Sequence, residues 1–148
     1  MATATTISNR PASITQPGAV SGSLVLLGRF FFALIFIMSG VRHFSSQTIA
    51  YAASQSVPLA SIAVPFSGVL AMVGGLLILV GYRAKIGAWL IVLFLIGVTP
   101  TMHAYWNVAD PMMHQMQWAM LMKNVSMLGG ALLISQLGSG PWSLDRQK

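Results

Sequence analysis

The sequence predicts an all-α fold, an integral membrane four-helix bundle with both termini on the cytoplasmic side. Of the 148 residues, 55% are hydrophobic and only 7% are charged, and the mean hydropathy is +0.75. Soluble domains carry roughly 25% charged residues, so lipid rather than water must surround most of the surface. The apolar residues also form four separate runs, each near the length of a transmembrane helix.

The first 22 residues are predicted to form a flexible N-terminal tail. They are rich in Ser, Thr, Pro and Gly and hold one charge, Arg10, a composition that buries too little apolar surface to fold. A signal peptide is a poor match, because the apolar run that follows is long, contains Arg29 and lacks a small-residue cleavage site. The membrane domain is therefore expected to begin near residue 23.

The four apolar runs predict four membrane-spanning helices within residues 23–140, followed by a C-terminal tail over residues 141–148. Each run approaches the ~20 residues that cross about 30 Å of hydrocarbon, and in lipid a helix satisfies its own backbone groups. Ser67, Ala71 and Gly75 recur every four positions in the second run, which predicts close helix contact. The predicted spans are residues 24–41, 62–80, 86–103 and 116–137.

Basic residues in the loops predict the orientation of the bundle. Arg83 and Lys85 lie between the second and third spans, and Arg146 and Lys148 follow the fourth, whereas Arg42 is the one basic residue in the other two loops. By the positive-inside rule, both termini and the turn at Arg83 are expected in the cytoplasm. The net charge of +6 is thus assigned to topology and lipid headgroups, and no nucleic-acid partner is expected.

The presence of three polar residues inside the predicted spans calls for a structural explanation, since charges in hydrocarbon cost free energy. Arg29 lies near the start of the first span. It either extends its stem to the headgroups or makes a contact inside the bundle. Lys123 allows the same two interpretations, depending on where the fourth helix begins. Asn124 is too short to reach the headgroups and is expected to hydrogen-bond a neighbouring helix.

A further set of polar residues falls in the outward half of the predicted bundle. His43 and His103 each close an outward-going helix, and polar groups that converge above an apolar bundle are typical of a ligand pocket. The alternative is an interfacial ring in which Tyr105, Trp106 and Trp118 form an aromatic belt. Haem b between the two histidines is conceivable, but hydrogen-bonded capping histidines are the favoured interpretation. The candidate pocket residues are Arg42, His43, His103, Trp106, Lys123 and Asn124, with Arg29 as a separate cytoplasmic-side candidate.

The stretch DPMMHQMQWAMLMKN (110–124) raises the question of a copper site, because thioethers and imidazoles are ligands for copper(I). At about 100° per residue, His114 projects away from the arc that its neighbouring methionines share with Lys123. The pattern favours a packing face beside a buried lysine, and copper remains an option only if the residues before Gln115 form a loop. The methionines of this arc are Met112, Met113, Met116, Met120 and Met127.

Several stretches together resemble the DoxX family of membrane proteins. LLGRFFFALIFIMSGVRHF (26–44) is similar to the family's first helix, and GGLLILVGYRAKIGAWL (74–90) resembles its second span, basic turn and third span. MHAYW (102–106), LMKNVSMLGGALLI (121–134) and GPWSLD (140–145) are similar to its closing half. The resemblance implies a four-helix protein and an expected location in a bacterial cytoplasmic membrane.

The resemblance also implies a connection with membrane redox chemistry. The family takes its name from a subunit linked to thiosulfate and quinone oxidation, and some relatives are tied to oxidative-stress complexes. Many members carry a glutamate three residues before the paired glycines of the second span, where this chain has Ala71. Members tend to place polar or aromatic residues at the positions of Arg29, Arg42, His103, Trp106, Lys123 and Asn124.

The function expected from these features is a quinone-interacting or accessory subunit of a membrane-associated redox complex. Hydrogen bonds to the carbonyl oxygens of a quinone headgroup can come from Arg42, His103, Lys123 and Asn124. The chain has no cysteine and no nucleotide motif, so electrons would have to pass to or from a partner, and catalysis by the chain alone stays open. The alternative is a non-catalytic membrane anchor or assembly factor.

The sequence also excludes two classes of enzyme and gives expectations about ligands and partners. No nucleophile constellation, phosphate loop or pair of carboxylates appears in the sequence, which excludes hydrolases and kinases. Quinone is the ligand considered, whereas haem and copper are disfavoured and no metal site is predicted. The expected partners are the lipid bilayer, membrane or soluble redox subunits, and a further copy of this chain.

Overall fold

A computed structural model describes residues 19–145, and the predicted tail over residues 1–18 lies outside the described residues, as do residues 146–148. All regular secondary structure within the described residues is helical, which confirms the all-α class. The first helix begins inside the stretch predicted as a tail, so residues 19–22 are helical instead. The helices are α1 (Ala19–Arg42), α2 (Ser46–Ser54), α3 (Ala60–Val80), α4 (Ala84–Met102) and α5 (Pro111–Leu137), with a 3₁₀ turn at Tyr105–Asn107.

Four of these helices, α1, α3, α4 and α5, are long and apolar enough to cross a membrane, by length and composition. Since they cross in succession, the two ends of the described chain lie on the same side of the bundle. The basic end is the one that holds Arg83 and Lys85, and the histidine end is the one that holds His43 and His103. These two names describe the molecule without assigning either end to a compartment.

The helices pack in chain order, α1 against α3, α3 against α4 and α4 against α5. Glycines allow two of these crossings to bring backbones into contact. A Cβ on Gly74 would lie 2.8 Å from the carbonyl oxygen of Gly87, and a Cβ on Gly87 would lie 2.8 Å from that of Gly74. Likewise, a Cβ on Gly68 would lie 2.9 Å from the carbonyl oxygen of Gly40. Such backbone contacts are how helices associate in lipid, where the hydrophobic effect gives little drive.

The core lies between α1, α3 and α4, where Phe36, Ile78, Ile91 and Leu95 are fully buried. Ala71, at the position for which the family resemblance raised the question of a glutamate, is also fully buried in this core. A carboxylate there would be surrounded by apolar side chains, so a residue as small as alanine suits this packing.

Helix α2 occupies a stretch where the sequence predicted only a loop between spans. Its N-terminus is capped by Ser45, whose Oγ accepts a hydrogen bond of 3.2 Å from the Thr48 N–H. Its buried face packs Ala52 against Ala60 and Val64 of α3. With nine residues, α2 is too short to span a membrane and instead lies at the histidine end.

Helix α5 begins five residues before the predicted span, at Pro111 rather than residue 116. Asp110 caps it, since its carboxylate accepts a 2.8 Å hydrogen bond from the Met113 N–H. Proline in the first turn is favourable because its missing N–H would have no partner there. The helix is therefore continuous through His114, which is the geometry in which imidazole and thioethers diverge.

The prediction of a packing face on α5 is wrong for the first turns of the helix. Met112 is 81% exposed and Met116 is 45% exposed, and Lys123 is exposed rather than buried. Only further along does the arc turn inward, where Met127 packs against the core. The reason is that α5 extends beyond its neighbours: its 27 residues span about 40 Å at 1.5 Å per residue, more than the ~30 Å hydrocarbon layer.

Candidate functional site

A cleft at the histidine end separates α1 from α5, with α4 as its floor. Nearer the basic end these two helices touch, because Phe32 packs against Gly130. Toward the histidine end they diverge around a cavity of about 200 Å³, and the exposed side chains of Ile35 and Lys123 line it. We call this cavity the histidine cleft. Its lining consists of Ile35, Phe36, Ser39, His43, Thr48, Phe94, Val98, Met102, His103, Lys123, Asn124 and Met127.

His43 is held in one tautomer by its own helix. Its Nδ1 lies 2.7 Å from the carbonyl oxygen of Ser39, four residues earlier. Because a carbonyl oxygen only accepts hydrogen bonds, Nδ1 must carry the proton. Nε2 of the neutral ring is then a free acceptor, with no hydrogen-bond partner among residues 19–145. The ring packs edge-on against Phe94, with centroids 5.6 Å apart, and its Cβ lies at the close crossing by Gly68.

His103 is held in the same tautomer by a different element. It follows the last residue of α4, and its Nδ1 lies 2.9 Å from Oε1 of Gln117 on α5. In this orientation of the Gln117 amide, the oxygen faces the ring, so His103 donates from Nδ1 and keeps a lone pair on Nε2. Two imidazoles from different helices therefore line one cleft, each with its Nε2 left for a ligand.

Asn124 and Lys123 complete the polar lining from α5. Asn124 is 5% exposed and donates from Nδ2 to the Thr99 hydroxyl of α4 at 3.2 Å. This confirms the predicted hydrogen bond to a neighbouring helix. Lys123 extends to the mouth of the cleft, and its one hydrogen-bond contact within the described part of the chain is Met120 Sδ at 3.5 Å. A thioether is a weak acceptor, so the ammonium group remains available to a ligand.

The cleft thus combines apolar walls with two acceptors and one cation. Phe36, Phe94 and Met127 offer aromatic and thioether surfaces on which a flat ring can pack. The two Nε2 atoms accept hydrogen bonds from ligand hydroxyls, and Lys123 favours oxygen atoms with negative charge. This is the pattern of a small-molecule site, mostly apolar with a few polar groups that fix orientation.

The structure brings together four of the six predicted pocket residues. His43, His103, Lys123 and Asn124 line the cleft, whereas the other two, Arg42 and Trp106, are exposed and do not. Arg42 is the last residue of α1 and is exposed, and Trp106 is 56% exposed in the 3₁₀ turn.

Sequence reasoning missed the residues that orient the polar groups of the cleft. Ser39 precedes His43 by four positions, and its backbone carbonyl oxygen contacts the His43 ring. The Thr99 hydroxyl of α4 instead accepts from Asn124 of α5. The four-residue spacing was a usable signal for Ser39 alone, because the contact of Thr99 depends on how α4 packs against α5. Gln117 gave no such signal, because its contact with His103 depends on how α4 packs against α5.

At the basic end, Arg29 is buried, which rules out the predicted extension of its side chain to the headgroups. It is 5% exposed, and its Nη2 donates to the carbonyl oxygen of Trp142. Its Nε and Nη1 atoms have no partner within residues 19–145. The guanidinium packs against Gly81, whose φ of 66° and missing side chain both suit this close approach. Arg29 therefore links α1 to the C-terminal segment, and it lies away from the histidine cleft.

The segment predicted as a C-terminal tail is folded through Asp145. Its backbone joins the turn between α3 and α4, with Leu144 N–H donating to Val80 at 3.3 Å and Asp145 N–H donating to Gly81 at 2.7 Å. The Asp145 carboxylate accepts from the N–H groups of Arg83 at 2.8 Å and of Ala84 at 3.3 Å. Since no side chain of α4 caps its own N-terminus, Asp145 supplies that cap.

These contacts make Asp145 a pH-dependent part of the fold. Hydrogen bonds from the Arg83 N–H, and then from Ala84 and Ser139, lower the pKa of Asp145 below its usual value. A lowered folded-state pKa means that the carboxylate stabilises the fold above the unfolded pKa of about 3.9. That contribution is lost as the pH falls through the lower folded-state pKa.

We expect Asp145→Ala to destabilise the bundle by about 1 kcal/mol at neutral pH, the usual cost of a lost helix cap. Thermal unfolding in detergent should show that acidification from about pH 5 to about pH 2 costs wild type more stability than the variant. Asp110→Ala, which removes the cap of α5 instead, is the matched control and should keep the acid-dependent loss seen in wild type. Equal acid sensitivity in wild type and Asp145→Ala would contradict this role.

Comparison with known proteins gives one family match. The sequence model of the DoxX family matches residues 24–104, which is 81 of 148 residues and so just over half of the chain. The match covers α1 to α4 with both cleft histidines and ends before α5, which carries Lys123 and Asn124. No solved structure matches the chain.

Proposed function

Because the chain belongs to the DoxX family, we propose that it is a quinone-interacting subunit of a membrane redox complex, and that the histidine cleft binds the reduced, hydroquinone form. The location proposed for it is the bacterial cytoplasmic membrane, as the resemblance implies. The observation that carries the proposal is the pair of Nδ1 contacts made by His43 and His103. His43 donates from Nδ1 to the backbone carbonyl oxygen of Ser39, and His103 donates from Nδ1 to the side-chain amide oxygen of Gln117, so both Nε2 atoms are acceptors.

The acceptors discriminate between the two redox forms of a quinone. A hydroquinone carries two hydroxyl groups that donate hydrogen bonds, whereas an oxidised quinone carries two carbonyl oxygens that only accept them. Carbonyl oxygens that face the lone pairs of Nε2 lose those hydrogen bonds and repel them. Each hydrogen bond is worth about 1 kcal/mol, so two of them favour the reduced form by roughly 25-fold.

The other lining residues fit the same ligand. Phe36 and Phe94 offer apolar ring surfaces, and the cation of Lys123 stabilises oxygen atoms that gain negative charge as a hydroxyl donates its hydrogen bond. Entry from the bilayer requires no path through water, since the exposed side chain of Ile35 lines the cleft beside α1. A lipid-soluble ring compound can therefore enter laterally from the hydrocarbon layer.

An anaerobic titration tests the proposal directly. Purified protein is titrated with menadiol and, separately, with its oxidised form menadione, and binding is followed by quenching of the chain's four tryptophans. We expect menadiol to bind more tightly than menadione by at least about tenfold. Absence of menadiol binding, or a preference for menadione, would overturn the proposal.

A second candidate function, a non-catalytic anchor or assembly factor, is favoured by the exposed lysine of α5. Lys123 is exposed within a membrane-spanning helix, and a cation facing lipid is costly. A partner subunit that presents a carboxylate to Lys123 would remove that cost. Purification from native membranes discriminates between the two functions: an anchor should co-purify with a soluble subunit and should not bind menadiol.

A further inference from the structure

A second cavity adjoins the histidine cleft on the other side of His43. It occupies about 300 Å³ between α3 and α4, and α2 contributes Thr48 and Ala52 to its wall. Its walls are otherwise mainly apolar and include Val64, Leu70 and Leu93. We call it the α3–α4 cavity.

The two cavities are continuous in their lining. His43, Thr48, Phe94, Val98 and Met102 line both the histidine cleft and the α3–α4 cavity. His43 and Phe94, whose rings pack edge-on, are the side chains that separate the two cavities. A molecule seated beside His43 in the cleft therefore lies one layer of side chains from the second cavity.

The hydroxyl groups that line the α3–α4 cavity already make hydrogen bonds within the protein. The Ser67 hydroxyl donates to the Val64 carbonyl oxygen at 2.8 Å, and the Thr101 hydroxyl donates to that of Gly97 at 2.9 Å. Thr48 pairs with the Ser45 hydroxyl at 2.8 Å. Because a polar ligand gains little from hydroxyls that are already paired, this lining suits an apolar chain.

The cavity is also open to the hydrocarbon layer rather than to water alone. Phe66 on α3 is 60% exposed and Leu93 on α4 is 57% exposed, and both contribute to the lining. These side chains lie in the membrane-spanning parts of their helices. An apolar chain longer than the cavity can therefore continue into the bilayer between α3 and α4.

From this continuity and lining we propose that the α3–α4 cavity binds the isoprenoid tail of the ligand whose hydroquinone ring occupies the histidine cleft. This inference rests on the proposed function. A single tail attached to an uncharged ring fits the arrangement. A phospholipid fits it less well, since its charged phosphate would face two acceptors and one cation.

Gly97 provides a test that fills this cavity and leaves the cleft intact. Gly97 lines the α3–α4 cavity but not the histidine cleft, and a Cβ added to it meets nothing within 4 Å. The Gly97→Leu side chain therefore occupies tail space without a clash at Cβ. Gly129→Leu is the matched control, since Gly129 also has open space at Cβ and lines neither cavity.

Menaquinol, which carries an isoprenoid tail, and menadiol, which has the same ring system without one, are titrated anaerobically. We expect Gly97→Leu to weaken menaquinol binding by about tenfold or more, the effect of overpacking an occupied site. Menadiol binding should stay within about twofold, and Gly129→Leu should change neither affinity.

The outcomes separate the two proposals. If wild type binds menadiol and Gly97→Leu leaves menaquinol affinity unchanged, or weakens both ligands equally, the tail assignment fails and the ring site stands. If wild type binds neither compound, the proposed function itself fails. Should Gly97→Leu not fold, wild type is labelled with menaquinol carrying a diazirine at the end of its tail. Labelling of α3 and α4 near Phe66 and Leu93 is expected, and labelling confined to α1 or α5 overturns the inference.

Discussion

Replacing Gly87 by valine is expected to destabilise the folded bundle strongly. A Cβ at Gly87 would lie 2.8 Å from the Gly74 carbonyl oxygen and 2.8 Å from the Leu77 Cβ. Neither atom can move alone, because one belongs to the backbone of α3 and the other is fixed to it. Relief therefore requires α3 and α4 to separate along the crossing that also positions Ile78 and Ile91.

The expected loss is about 3 kcal/mol or more, at the upper end of overpacking costs, against total stabilities of roughly 5–15 kcal/mol. Size-exclusion chromatography and thermal unfolding in detergent measure it. Gly97→Val on the same helix is the matched control, since its Cβ meets nothing within 4 Å. A monodisperse Gly87→Val protein with wild-type thermal stability would show that α3 and α4 do not cross at these glycines.

Removing both cleft acceptors, with His43→Leu and His103→Leu together, is expected to abolish the preference for menadiol over menadione. Each leucine keeps an apolar wall and deletes one Nε2 lone pair. Since each hydrogen bond contributes about 1 kcal/mol, the double variant should lose roughly 25-fold in menadiol affinity. Menadione, which makes neither hydrogen bond, should bind with similar affinity to both proteins.

Two further variants separate hydrogen bonding from packing at these positions. His43→Gln restores an acceptor on a side chain of similar reach and should recover part of the menadiol preference. His114→Ala is the control, because His114 belongs to neither cavity lining and packs instead on Tyr105, with ring centroids 5.2 Å apart. An unchanged preference for menadiol over menadione in the double variant would show that the histidines do not bind the ligand.

The sequence was sufficient for the fold class because lipid imposes a simple rule. A backbone in hydrocarbon must satisfy its own hydrogen bonds, so apolar runs of sufficient length predict helices directly. Helix α2 escaped prediction because nine residues at the membrane surface carry no such constraint. The C-terminal segment escaped it because its order depends on contacts with the distant Gly81 and Arg83.

The candidate site was predictable where polar residues stand out in an apolar chain. Four of its residues were named from sequence, including both histidines, because polar groups at helix ends are conspicuous in an apolar chain. Arg42 and Trp106 were named on the same grounds, but their side chains do not line the cleft. Which way a side chain points depends on how its helix is rotated, and the sequence alone does not fix that rotation. The α3–α4 cavity could not be predicted from the sequence, because it is the space that apolar side chains such as Leu93 leave unfilled between two helices.

The central claim is that two neutral imidazoles present Nε2 to the hydroxyl groups of one ligand. Nitrogen NMR of protein labelled with ¹⁵N at its three histidines, recorded during the anaerobic menadiol titration, tests this claim most directly. We expect His43 and His103 to carry the proton on Nδ1 before titration, and their Nε2 resonances to shift on binding while His114 does not. A proton on Nε2 of either cleft histidine in the free protein, or Nε2 resonances unchanged at saturating menadiol, would contradict the account.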